Sequence, residues 1–170
     1  MVANLSSHKP GWDTRWEEFS NWAAKGQVIK DQLLLMVDED TRAFNKIMNA
    51  FGLPKSTEEE KKIRTTAIQN ATKNAIEVPF KVMELSLESM YIIKAMAEVG
   101  NPNSVSDAGV GALCARTAVL GAFMNVRINA SGYDDKQFVE HILKSGKEIE
   151  NKAIEKENEI IQIVNEKIDI

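Results

Sequence analysis

Between Leu33 and Phe51 the chain reads LLLMVDEDTRAFNKIMNAF, and apolar residues return every three or four positions: Leu33, Val37, Phe44, Ile47 and Phe51. A period near 3.6 demands a helix and excludes a strand, whose side chains alternate with a period of two. The step missing from the stripe is position 40, and Asp40 occupies it. The pattern therefore puts a carboxylate where a core residue is expected. Burying a carboxylate is costly unless it is paired or hydrogen-bonded, and burial raises its pKa toward the range that suits proton transfer near neutrality. Two roles fit such a residue: a structural Asp bonded to a neighbouring helix, or an acid–base group. Asp38 lies about 200° away round the same helix and is expected to face solvent.

The same periodicity runs through most of the 170 residues. Trp16, Phe19 and Trp22 recur every three residues and form a packing face, with Gly26 a weak point where that helix can break. Gly52-Leu53-Pro54 ends it. Ser56-Thr57-Glu58-Glu59-Glu60 offers a capping box for the next helix, with acids at its positive end. Pro79 is expected to kink or break this second long helix, which then continues to a natural stop at Gly100.

After the polar loop Gly100 to Asp107, where Ser104, Ser106 or Asp107 can cap, a third helix spans about 106 to 129. One face steps through Ala108, Gly111, Ala115, Ala118 and Ala122 and ends in Asn125 and Asn129, one turn apart. Small residues let helix backbones approach closely, and Asn residues there must find partners, in a network between helices or in a ligand pocket. The opposite face, Val110, Leu113, Thr117, Leu120 and Met124, reads as ordinary core. A last long helix follows Asp134-Asp135, with Phe138, Ile142, Ile149, Ile154, Ile161 and Ile168 on an amphipathic, coiled-coil-like pattern. With nine Gly, four Pro and 44% hydrophobic residues, the expectation is a single domain over residues 1–170. Its fold class is all-α, a multihelical bundle of long, partly kinked helices.

Composition narrows the function classes. The net charge is −4, so nucleic acid is not an expected partner. Cys114 is the single cysteine, and the two histidines, His8 and His141, stand far apart, so neither a disulfide nor a metal site is expected. There is no apolar run of about 18 residues and no charged-then-apolar leader, so no membrane partner is expected and a cytoplasmic location follows. No Gly-rich phosphate loop, Ser/His/Asp arrangement or HExxH motif occurs. What remains is one polar cluster in a helical bundle: Asp40, the 101–107 loop, Asn125 and Asn129.

Several segments together resemble one family. These are Val37-Asp38-Glu39-Asp40 with Ala43-Phe44, Leu53-Pro54-Lys55 with the acidic run and Arg64, Val78-Pro79, Gly100-Asn101, Ser106-Asp107, and Asn125-Val126 with Ile128-Asn129. In this order and spacing they resemble the cyclodeaminase/cyclohydrolase family, which includes the C-terminal domain of formimidoyltransferase-cyclodeaminase. The resemblance implies an all-helical homodimer that binds folate near the subunit interface and needs no metal or redox cofactor. It implies a lyase of one-carbon metabolism and histidine degradation, closing 5-formimidoyl-tetrahydrofolate to 5,10-methenyl-tetrahydrofolate with release of ammonia. Related members instead hydrolyse the methenyl bridge, and a non-catalytic folate-binding assembly domain is a third possibility. Association with a formimidoyltransferase is also implied.

The resemblance assigns the catalytic proton transfer to Asp40, with Asp38 as the alternative. It makes Asn101, Ser106, Asp107, Asn125 and Asn129 pocket positions, and Lys9, Lys55 and Arg64 candidates for the glutamate tail. Family members open with a long apolar helix after a Pro-Gly-Gly-Gly-Ser segment. The present sequence begins at MVANLSS, which resembles the end of that helix, so the domain is expected to be N-terminally shortened.

Overall fold

The computed structural model describes residues 1–11 and 13–168. It contains five α-helices and, among the described residues, no strand: α1 Val2–Ser7, α2 Trp16–Phe51, α3 Glu58–Val99, α4 Val105–Ala130 and α5 Lys136–Ile168. Short 3-10 turns, Asp13–Arg15 and Pro102–Ser104, lead into α2 and α4.

Local chemistry sets the helix ends. Thr57 accepts from Glu60 N, and the Glu60 carboxylate accepts from Thr57 N, closing the expected capping box of α3. Asp135 accepts from Phe138 N at the start of α5. Gly100 ends α3 with its amide bonded to Met96 O. A methyl group at residue 100 would stand 2.9 Å from Val2 Cγ1 and would crowd the Met96 carbonyl. Glycine is needed there chiefly because the Met96 carbonyl of the same helix leaves no room for a Cβ, and α1 closes the space further. Asn101, not a serine, caps the turn into α4, its side chain accepting from Asn103 N.

Helix α3 is the centre of the bundle. It packs against α2, α4 and α5, and α4 also packs against α5. The main core joins Ile76, Met83 and Met90 of α3 to Ala112, Val119, Phe123 and Val126 of α4 and to Ala153 and Ile160 of α5. On the other side of α3, Leu33, Val37 and Asp40 lie beside Pro79 and Val82 and beside Ala118, Ala122 and Asn125. Trp22, Gly26 and Lys30 lie beside Ile92 and Met96 and beside Asp107 and Ala108. Numbering therefore rises along α2, falls along α3 and rises along α4. The parallel helices α2 and α4 form the walls of a groove, and α3 is its floor.

Several expectations about faces and breaks are corrected. Helix α2 is unbroken at Gly26, and α3 runs through Pro79 as one helix. Phe19 is fully buried but Trp16 is exposed. The buried positions of α2 are Phe19, Ile29, Ala43 and Ala50, so Asp40 does not lie in the core. It is about 60° round the helix from Ala43 and is exposed. Val37 and Phe44, counted above as core, are 65% and 60% exposed. They belong to an outer stripe, Leu34, Val37, Thr41, Phe44, Met48 and Phe51. Helix α4 departs in the same way. Val110, Leu113, Thr117 and Met124 are exposed and Leu120 is half-buried. Its buried line is instead Val105, Ala108, Gly109, Ala112, Val119, Phe123, Val126 and Ala130. That line contains small residues because helix axes that approach closely leave no room for large ones.

The segment Pro102–Ala130 is long and apolar enough to cross a membrane by length and composition alone, which the run-length reading above did not find. In this fold it packs along α3 and α5.

Candidate active site

The groove opens into a cleft of about 450 Å³ around Asp40. Leu33, Met36, Val37, Asp40 and Thr41 form the α2 wall, Pro79 and Val82 the floor, and Ala118, Gly121, Ala122 and Asn125 the α4 wall. The small residues of α4 keep that wall low, which leaves space for a flat ring between the helices. Asp40 reaches the cleft from the shoulder of α2, between its buried line and its outer apolar stripe. Asp38 is exposed as expected and does not line this cleft.

The two asparagines are joined, and the cause is in α3. Pro79 has no N–H, so the Ala75 carbonyl loses its usual donor four residues on. Asn129 supplies one: its Nδ2 donates to Ala75 O at 2.8 Å. The same amino group donates to Asn125 Oδ1 at 3.1 Å. Asn129 thus makes the bond between helices α4 and α3, while Asn125, one turn nearer Asp40's level, is one of the residues around the cleft.

The remaining candidates are not gathered there, and the single polar cluster is corrected to separate sites. Asp107 and Asn125 are 18 residues apart on one continuous helix, about 27 Å at the rise of an α-helix. Asp107 instead lines a second cleft of about 330 Å³ at the α1 end, with Asn4, Trp22, Gln27 and Lys30. Lys30 there hydrogen-bonds the Asp31 carboxylate at 3.0 Å, as does Gln27, and the Lys30 bond is the main cause of Asp31's lowered pKa. Ser106 is exposed in the first turn of α4. Lys9 donates to Asn101 Oδ1 at 2.8 Å, and Asn101 N donates to Ser6 Oγ, so these residues fasten α1 to the end of α3.

At the opposite end of the bundle Arg64 donates to Phe51 O and lies over the Phe51 ring, closing the end of α2. Lys55 is exposed in the loop that follows. Lys9 and the Lys55/Arg64 pair are therefore at opposite ends of α3 and do not form one anion site. None of the three lines the Asp40 cleft.

Sequence reasoning passed over Thr41, whose hydroxyl donates to Val37 O beside Asp40. It also missed Arg116 and Glu157, which face each other between α4 and α5 with Nε and Oε2 2.9 Å apart. The signal for this pair was present: both residues interrupt an otherwise apolar line. Among the described residues no group of three or more His, Cys, Asp or Glu gathers where it can hold a metal ion.

The cleft therefore combines an exposed carboxylate, a carboxamide on the opposite wall and an apolar floor. This arrangement can bind a planar heterocycle and move a proton on it. The family profile described as formiminotransferase-cyclodeaminase matches residues 1–148. The chain belongs to this family.

Among curated relatives, a methenyltetrahydrofolate cyclohydrolase of Methylorubrum extorquens is 38% identical over 144 residues, 85% of this chain and 69% of that protein. The formimidoyltransferase-cyclodeaminase of Gallus gallus is 42% identical over 108 residues, 64% of this chain. That match spans only 20% of the chicken protein. Among solved structures, the formiminotetrahydrofolate cyclodeaminase of Thermotoga maritima superposes with a TM-score of 0.84 at 26% identity. The match covers 99% of this chain and 80% of that one. The family expected from the segments above, and its all-helical fold, are thus found.

Proposed function

We propose that the chain is a folate one-carbon enzyme that closes 5-formimidoyl-tetrahydrofolate to 5,10-methenyl-tetrahydrofolate, with Asp40 as the group that moves the proton. The observation that carries this reading is the cleft that brings Asp40 opposite Asn125 in a chain of this family. N10 attacks the carbon of the protonated formimidoyl group and forms the second C–N bond. The Asp40 carboxylate takes the N10 proton and returns it to the amine nitrogen. The C–N bond to that nitrogen then breaks, ammonia leaves, and the positive charge stays on the N5–CH–N10 bridge. One carboxyl group serves as base and then acid, so the proton count balances.

A second reading is hydrolysis of the methenyl bridge, favoured by the 38% identity to the Methylorubrum cyclohydrolase. Here Asp40 takes a proton from the attacking water. We further propose that a second copy of the chain covers the outer apolar stripes of α2 and α4, as the family resemblance implies. Contiguous exposed apolar surface of this kind marks interaction sites, and covering it excludes water from the rim of the cleft.

The test is the absorbance of methenyl-tetrahydrofolate, for the wild type and Asp40→Asn, with both substrates. The wild type is expected to form the methenyl compound from the formimidoyl substrate, and the variant to lose on the order of a hundredfold or more in kcat. An Asp40→Asn enzyme as fast as wild type overturns the role of Asp40. Hydrolysis of the methenyl compound with no cyclisation selects the second reading, and folate binding without turnover of either substrate removes both.

A further inference from the structure

An asparagine side chain can turn either its oxygen or its nitrogen toward a ligand, because the two ends have nearly the same shape. Which end faces a site decides whether that site recognises a donor or an acceptor. For Asn125 the choice is made by a chain of bonds that begins at Pro79. A backbone carbonyl only accepts, so the Ala75 oxygen left without its helical donor requires the amino end of Asn129. That amino group carries a second hydrogen, which it donates to Asn125 Oδ1. The oxygen of Asn125 is thereby turned along the helix toward Asn129, and its amino group is the end offered to the cleft it lines.

We infer that Pro79 and Asn129 are positioning residues that fix Asn125 as a hydrogen-bond donor on the α4 wall, opposite the acceptor Asp40 on the α2 wall. The inference rests on the folate reading for its ligand and on the bonds above for its geometry. An ionised carboxylate only accepts, so the two walls have opposite polarity. A ligand fits when it presents an N–H toward α2 and a carbonyl oxygen or unprotonated ring nitrogen toward α4. A reduced pterin carries both kinds of group. The proline in the middle of α3 is thus a specificity device: its missing N–H sets the register in which the ring lies between the helices.

The test is Pro79→Ala, which returns an N–H to residue 79 and lets the Ala75 carbonyl be bonded within its own helix. Released from that carbonyl, Asn129 no longer holds Asn125. The expected result is a rise of about fivefold in KM for the folate substrate, the effect of one neutral hydrogen bond, with kcat within about twofold. Thermal stability should be unchanged or higher, since proline disfavours a helix interior. Pro79 also lines the cleft floor, so a proline acting only by direct contact predicts a changed KM in Pro79→Ala and none in Asn129→Asp, whose residue does not line the cleft; that outcome, or an unchanged KM in both variants, overturns the inference. Asn129→Asp, which cannot donate, is expected to match Pro79→Ala in KM, and combining the two should add nothing.

A readout without folate separates this inference from the functional reading. The Asn125 and Asn129 side-chain amide resonances, assigned by difference against Asn125→Asp and Asn129→Asp respectively, should both move in Pro79→Ala. If the Asn125 resonances stay in place, the relay does not exist, whatever the enzyme does. If they move but the wild type turns over no folate, the relay stands and the functional reading fails.

Discussion

The seam between α4 and α5 makes a demanding prediction, because two well-known effects of one substitution oppose each other there. Gly146 is buried in the middle of α5, facing the ring of Phe123 on α4. A methyl group at 146 would lie 2.8 Å from Cδ2 and 3.3 Å from Cζ of that ring, with Cε2 closer still. Helix propensity favours Gly146→Ala by about 1 kcal/mol. Overpacking opposes it by about 1–3 kcal/mol. The upper part of that range applies here, because Phe123 is itself buried among core residues and two ring carbons are crowded at once. The ring borders a surface crevice lined by Arg127, Leu143, Lys147 and Glu150. Tilting into it exposes the ring and disturbs the stacking of Arg127 on it.

The net expectation is a loss of about 2 kcal/mol, or a fall in Tm of about 4–8 °C for a chain of this size. Urea titration followed by circular dichroism at fixed protein concentration measures it. Phe123→Leu shortens the obstructing side chain, so Gly146→Ala should be neutral or stabilising in that background, a coupling of about 2–3 kcal/mol in the double-mutant cycle. A single Gly146→Ala variant with a raised Tm would refute the reasoning, since propensity would then have outweighed the contact.

Two further outcomes follow from the ends and the outside of the bundle. Gly100→Ala should displace α1, because the added methyl meets both Val2 and the Met96 carbonyl; hydrogen exchange should rise at the amides of residues 5–7 and remain slow in the middle of α3. Leu34→Asp with Ile128→Asp places charges on the outer stripes at positions 60% and 71% exposed. It should convert a sedimenting dimer to a monomer without loss of helix content, and a wild-type chain that sediments as a monomer contradicts the proposed second copy.

The helix ends were legible in the sequence and the helix faces were not, for a physical reason. Caps are local: Thr57 with Glu60, Gly100, and Asp135 each act within a few residues, so their chemistry can be read from neighbours in the chain. A face is chosen by what packs on it. Helix α2 carries two candidate faces, and the one with the larger apolar side chains lies outside. The inner face uses Ala43 and Ala50, which weigh little in a hydrophobic pattern yet bury completely where α2 packs on α3. Counting apolar residues therefore selected the wrong stripe and carried Asp40 into the core with it. The same error inverted α4, whose Val110 and Met124 face out while Ala112 and Gly109 face in.

Asn125 and Asn129 were legible because they stand one turn apart, and Pro79 because a helix must accommodate it. Their connection was not, since the Ala75 carbonyl and the Asn129 amide are 54 residues apart. The misplaced stripe still holds information. The second half of α2, whose buried residues are Ala43 and Ala50, has no folding reason to carry Leu34, Phe44 and Met48 outside, and exposed apolar surface is costly in solubility. The outer stripes of α2 and α4 flank the cleft that contains Asp40, so a cover over them also dries the carboxylate's surroundings. A second copy seated there, as proposed, would supply at the meeting of two chains the burial that the sequence pattern assigned to Asp40 within one.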